Sequence, residues 1–171
     1  MSHPILQETQ SATITEAQAE DGRELGGYLR VADRNELDAI FGDGCDAEAR
    51  LEDAIRISTS GCYTVRSKLD GRVALIFGVV PSSEPLAGIV WAMGSDSLQA
   101  FSREFLLHCG HWVDRLHESH PVLFNVIDQR NRRHRAWLRW LGFKFIHVHP
   151  QWGVGNLPFI EFVRVKPHHY V

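Results

Sequence analysis

The 171-residue sequence has no apolar run that could cross a bilayer, which takes about 20 consecutive apolar residues. Met1–Gln10 lacks the basic-then-apolar pattern of a secretory leader. Cysteine is scarce. Cys45, Cys62 and Cys109 stand far apart, in neither metal-ligand nor redox spacing, which argues against a disulfide framework and for a reducing compartment. Basic charge is not in excess either. Lys and Arg number 18 against 21 Asp and Glu, giving a formal net charge of −3 and a pI near 6.3. That balance removes the general electrostatic reason to bind nucleic acid or an anionic membrane. No internal repeat or low-complexity tract interrupts the chain. These absences together predict a soluble cytoplasmic protein with no membrane partner.

Apolar residues make up 44% of the chain, enough for one core at this length. Residues 1–11 read as a flexible lead-in, 12–167 as one domain, and 168–171, with His168 and His169, as a tail. Ala12–Ala17 alternates like a short strand. Glu20 and Asp21 open a helix carrying Leu25, Tyr28 and Leu29, which Gly26 and Gly27 weaken. Leu37, Ile40 and Phe41 share a face of a second helix over Asp33–Phe41. Asp46 caps a third, on which Ala47, Leu51, Ala54 and Ile55 lie together. Strands are expected at Cys62–Leu69, Val73–Val80 and Leu86–Met93, with a hairpin turn at Asp70–Gly71. A long helix follows over Leu98–Leu116, then a buried strand at Pro121–Ile127. A basic amphipathic helix, Asn131–Leu141, ends at Gly142. Phe143–Val148 and Phe159–Val165 close the chain as strands. This order predicts an α/β or α+β arrangement with mixed pairing around a central sheet.

The segment Leu123–Ile127, Asn131 and Leu141–Gly142–Phe143 resembles the GNAT (GCN5-related N-acetyltransferase) superfamily. That family places a strand, an Asn, and a helix ending in a Leu-Gly-Phe step. The resemblance is closer to GNAT-like proteins of tailed bacteriophages, through Ala32–Leu37 (ADRNEL), Ile76–Val79, Gly88–Trp91, and Asn125, Asp128, Asn131 and Trp137–Phe143. It covers roughly residues 12–165. It implies a twisted mixed sheet of six to seven strands flanked by helices, with a splayed parallel pair formed by Leu86–Met93 and Pro121–Ile127. It also implies acetyl-CoA as cofactor, held between those strands, and an amine of a small molecule or protein as acceptor.

On that resemblance, Trp91, Ala92, Met93 and Gly94 leave the first splayed strand beside the pantetheine arm. Ser95 and Ser97 offer hydroxyls at the following helix start, where N–H groups and the helix dipole favour a pyrophosphate. The family's glycine-rich phosphate loop is replaced here by Gly94–Arg103, so Arg103 and Arg133 are the expected anion contacts. Asn131 is expected to orient the cofactor or a water, or to cap its helix. Asn125, a polar residue in an apolar strand, needs hydrogen-bond partners. Asn125 and Asn131 are the catalytic candidates, because Leu138 stands where the family's acidic Tyr is usual. Tyr28, Tyr63 and Tyr170 lie elsewhere. Glu84, His147, His149 and Glu161 are candidate bases near strand ends. No metal site is expected. Trp137 and Trp140 read as core, Cys109 as a buried inert thiol, and Gly153, Gly155 and Pro158 as a loop that either shapes the acceptor pocket or merely connects. Two functions follow from the resemblance. One is an N-acetyltransferase. The other is a GNAT scaffold that has lost its chemistry and serves as a phage virion component or a binder of a host enzyme.

Overall fold

The structure, a computed structural model, describes residues 3–167; the expected tail at 168–171 lies outside them. The strands are β1 (Ile5–Glu8), β2 (Ala12–Glu16), β3 (Cys62–Ser67), β4 (Val73–Pro81), β5 (Ala87–Gly94), β6 (Val122–Asp128), β7 (Lys144–Trp152) and β8 (Leu157–Val165). The helices are α1 (Ala19–Gly26), α2 (Val31–Phe41), α3 (Ala47–Ile57), α4 (Ser102–Leu116) and α5 (Arg132–Trp140). The eight strands form one sheet in the order β1-β2-β3-β4-β5-β6-β8-β7. Neighbours are antiparallel except β5 and β6, which run parallel.

The sheet carries more strands than expected. Ile5–Glu8, read in sequence as loose lead-in, pairs with β2 as an edge strand. Its hold is polar: the Trp112 indole N–H donates to Gln7 Oε1 at 2.6 Å, a contact across 105 residues that no local pattern announces. The helix expected from Leu98 also starts differently. Asp96–Phe101 is a 3-10 helix, and α4 begins at Ser102 beyond an irregular Phe101 (φ −136°, ψ 28°).

β4 (VALIFGVVP) is apolar almost throughout because both its faces are covered. Leu75, Phe77 and Val79 join the larger core with Phe105, Cys109 and Trp112 of α4 and Leu138 of α5. Ile76 joins a second cluster with Leu25, Leu37, Ala47 and Leu51 from α1, α2 and α3. Helices therefore cover both sides of the sheet. The glycines that weaken α1 have a packing reason. A Cβ at Gly26 would sit 2.6 Å from Glu48 Cα, so only glycine allows α1 and α3 to approach this closely. Local signals placed the remaining caps. Asp46 accepts from the Ala49 N–H at the start of α3, and Gly142 turns the chain after α5 at φ 85°.

Candidate functional site

β5 and β6 pair over three residues only: Ala87 with Val122, Gly88 with Leu123, and Ile89 with Phe124. Beyond that point both strands continue, β5 beside β4 and β6 beside β8, and a gap opens between them. Asn125 spans the apex of this gap. Its Nδ2 donates to the Val90 carbonyl at 2.8 Å, replacing the next rung of the ladder. At the far end, the Gly94 carbonyl accepts from the Arg30 N–H at 2.9 Å, and the Gly94 N–H donates to Asp33 Oδ2 at 2.8 Å. Val90 and Gly94 thus direct backbone groups into the gap. By the two-residue period of a strand, Ala92 midway between them does the same.

Two connected spaces adjoin the gap. A groove of about 510 Å³ runs between the 3-10 helix, the start of α4, and α5. Arg30, Gln99, Ser102, Arg133 and Trp140 are among its lining residues. A narrow apolar cavity of about 50 Å³ continues inward, walled by Val90 and Ala92 of β5, by α4 from Phe105 to Leu116, and by Leu138 and Leu141. Phe105, His134 and Trp137 line both spaces. Trp137 Nε1 and His134 Nδ1 are buried and have no hydrogen-bond partner among the described residues.

The mouth of the gap is crossed by a buried polar network from α2. Asp33, wholly buried, takes an ion pair from Arg30 at 2.9 Å, the Gly94 N–H, and the Asn131 amide at 3.3 Å. Glu36, one turn on, accepts the Asp128 N–H at 2.7 Å. Burial pushes the Glu36 carboxyl up to about 8; the Asp128 N–H works against this, and the Asp33 and Asp128 charges reinforce it. Glu36 therefore holds its proton at neutral pH. Burial pulls the His134 imidazole down to about 4, against the opposing pull of Asp33, so it is neutral there. Asp33, Glu36 and His134 bring potential ligand atoms within 4.8 Å of one another. With Arg30 already neutralising Asp33, the trio behaves as a charge-compensated cluster holding one carboxyl proton.

No family model and no curated protein matches the sequence. Solved structures do match. The protein yncA of Salmonella typhimurium, assigned provisionally as an acetyltransferase and solved with its cofactor acetyl-CoA, superposes with a TM-score of 0.66 at 15% identity. That match covers 94% of this chain and 96% of that one. The ribosomal-protein-S5-alanine acetyltransferase of Vibrio fischeri gives 0.65 at 13%, covering 94% and 96%. A GNAT-family acetyltransferase of Streptococcus pneumoniae gives 0.59 at 16%, covering 91% and 99%.

The chain has the GNAT fold.

Within that fold, the sequence-predicted residues fall into three groups. Ala92, Arg133 and Asn125 sit at the gap or its groove. Asn131 and Gly94 lie at the mouth, with their polar groups engaged. Asn131 Oδ1 caps α5 through the His134 N–H at 3.3 Å while its amide serves Asp33. The third group turns its side chains elsewhere. Trp91 borders the apolar cavity, but its indole, like the Met93 side chain, lies on the other face, where it donates to Ser58 Oγ at 2.7 Å while Met93 packs with Leu25 and Leu37. Ser95 is buried and donates to the Val73 carbonyl at 2.7 Å; the Ser97 hydroxyl donates to Asp70 at 2.6 Å. Neither hydroxyl is free for a phosphate. Arg103 is exposed and outside the groove lining.

Leu138 is buried and lines the narrow cavity. Tyr63 packs between Phe77 and Trp112, and the Tyr28 hydroxyl donates to Glu24 at 2.5 Å, so neither faces the gap. Among the expected bases, Glu84 and His147 are exposed, while His149 and Glu161 pair with each other at 3.2 Å across β7 and β8. Trp140, expected in the core, is 68% exposed at the groove rim. Burial pushes the Cys109 thiol pKa up, as befits an inert core cysteine. The loop at Gly153–Gly155 docks on α2, with the Gly155 N–H donating to the Ala39 carbonyl at 2.9 Å.

Sequence reasoning missed Asp33, Glu36 and His134. A signal existed: Asp33 and Glu36 lie four residues before Leu37 and Ile40, on the stripe that turns inward. Two carboxylates on an apolar stripe point to a buried polar network.

Proposed function

We propose that the protein transfers an acetyl group from acetyl-CoA to an amine of a small molecule or protein. The observation that carries this reading is the open edge of β5 at Ala92, beside an apolar cavity that shares Phe105, His134 and Trp137 with a groove bearing Arg133. Acetyl-CoA supplies the acyl carbon as a thioester; transfer forms an N–C bond, breaks the C–S bond and moves one proton from amine to thiol. The Ala92 N–H is the donor placed to polarise a carbonyl in the gap, in surroundings that exclude water. Arg133 is the cation available to phosphates in the groove, since the Arg30 guanidinium is committed to Asp33. The buried Trp137 N–H, with only the weakly accepting Cys109 sulfur beside it, suits an amide carbonyl entering from the groove. Asn125 holds the strands at the apex, and Asp33 holds them at the mouth. Leu138 offers no proton, so proton exchange falls to the Glu36–His134 cluster or to solvent.

Calorimetric titration with acetyl-CoA tests the reading. Binding, weakened about tenfold or more by Arg133→Ala, is the expected result, since a charge-assisted contact contributes about 1.5–3 kcal/mol. No binding at millimolar cofactor would refute it.

A second reading draws on the engaged Ser95 and Ser97 hydroxyls and the leucine at position 138. On this view the chain is a GNAT scaffold kept for binding, as a virion component or a partner of a host enzyme, in line with its resemblance to phage-encoded proteins. Acetyl transfer to any amine by the purified protein would exclude it.

A further inference from the structure

The narrow cavity is larger than an acetyl group needs. A water's share of liquid volume is about 30 Å³, so about 50 Å³ holds roughly two such groups. A methyl or methylene is of similar size. The cavity begins at Val90 and Ala92, beside the open β5 edge, and continues along α4 through Cys109 and Val113 to Leu116. Phe105 and Leu116 are eleven residues apart, which is about 16 Å of helix. Its inner wall of Val113, Leu116, Leu141 and Phe162 is aliphatic and aromatic. Beyond His134 and Trp137, which it shares with the groove, the cavity offers water no hydroxyl, amide or charged side chain. It runs directly on from the place where a carbonyl would meet the Ala92 N–H.

We propose that this cavity is an acyl-chain pocket, and that the preferred donor is a short-chain acyl-CoA of three to four carbons, propanoyl or butanoyl. The inference rests on the proposed function and specifies its donor. With the two carbons of the acetyl unit in the gap, about two further carbons fill the cavity. The occupant is a saturated chain, because no charged side chain lies along the wall to receive a carboxylate or an ammonium.

The test is a titration of the intact protein with CoA, acetyl-CoA, butanoyl-CoA, hexanoyl-CoA and decanoyl-CoA. Each buried methylene strengthens binding about fourfold. Butanoyl-CoA is therefore expected to bind about fifteenfold more tightly than acetyl-CoA. Hexanoyl-CoA and decanoyl-CoA, too long for the cavity, fall back. Val113→Phe fills the cavity and abolishes the gain from acetyl to butanoyl. Should that variant fail to fold, the chain-length series on the unaltered protein decides alone. CoA and all its thioesters binding equally would overturn the acyl pocket and leave the proposed function standing. No binding by any of them would overturn both.

Discussion

Glu36→Gln replaces a carboxyl that the fold holds protonated with a neutral group of the same shape, and its effect depends on pH in a calculable way. The folded Glu36 carboxyl lies at about 8, against an ordinary value of 4.5. Between those values the folded chain keeps a proton that the unfolded chain releases. A raised carboxyl contributes stability that is complete below 4.5 and is lost as the pH rises through 8. At 1.36 kcal/mol per pH unit, that loss is about 5 kcal/mol. His134 acts in the opposite sense. Lowered from 6.5 to about 4, it contributes stability that is present above 6.5 and lost as the pH falls to 4, about 3 kcal/mol in all. The two slopes cancel between 4.5 and 6.5. From 6.5 to 8 only Glu36 acts, and the protein weakens by about 2 kcal/mol. Because His134 is common to both proteins, the stability of Glu36→Gln relative to the parent should climb by about 5 kcal/mol from pH 4.5 to 8, about 2 kcal/mol of it above 6.5. Urea unfolding at fixed temperature, repeated from pH 5 to 9, measures this directly. Parallel stability curves for the two proteins would refute the assignment of a buried, protonated Glu36.

Asp33→Ala removes one partner of a buried ion pair and strands Arg30, the Gly94 N–H and the Asn131 amide. A loss of about 3–5 kcal/mol is expected, read as a lower denaturation midpoint. Gly88→Ala places a methyl 2.8 Å from the His120 ring, in the only stretch where β5 and β6 pair. Overpacking there should cost about 1–3 kcal/mol in thermal or urea unfolding; an unchanged midpoint would show that His120 can yield.

The sequence by itself determined most of the local structure. The apolar run of β4, the Asp46 and Asn131 caps, and the stop at Gly142 all act within a few residues, so each could be read where it stands. The order of those elements, with the Asn-to-Gly-Phe segment, was enough to anticipate the fold. Tertiary structure alone decided which polar groups are free. Ser95 and Ser97 look like phosphate donors until Val73 and Asp70 are seen to accept from them. Asn131 looks like a cofactor contact until Asp33, 98 residues away, takes its amide. Glu36 lies on the inward stripe of α2, but what it bonds is decided by the end of β6, 92 residues on, which closes over it. Even β1 depends on a tryptophan 105 residues distant. A backbone preference is settled by neighbours in sequence, whereas the availability of a hydroxyl, an amide or a proton is settled by neighbours in space.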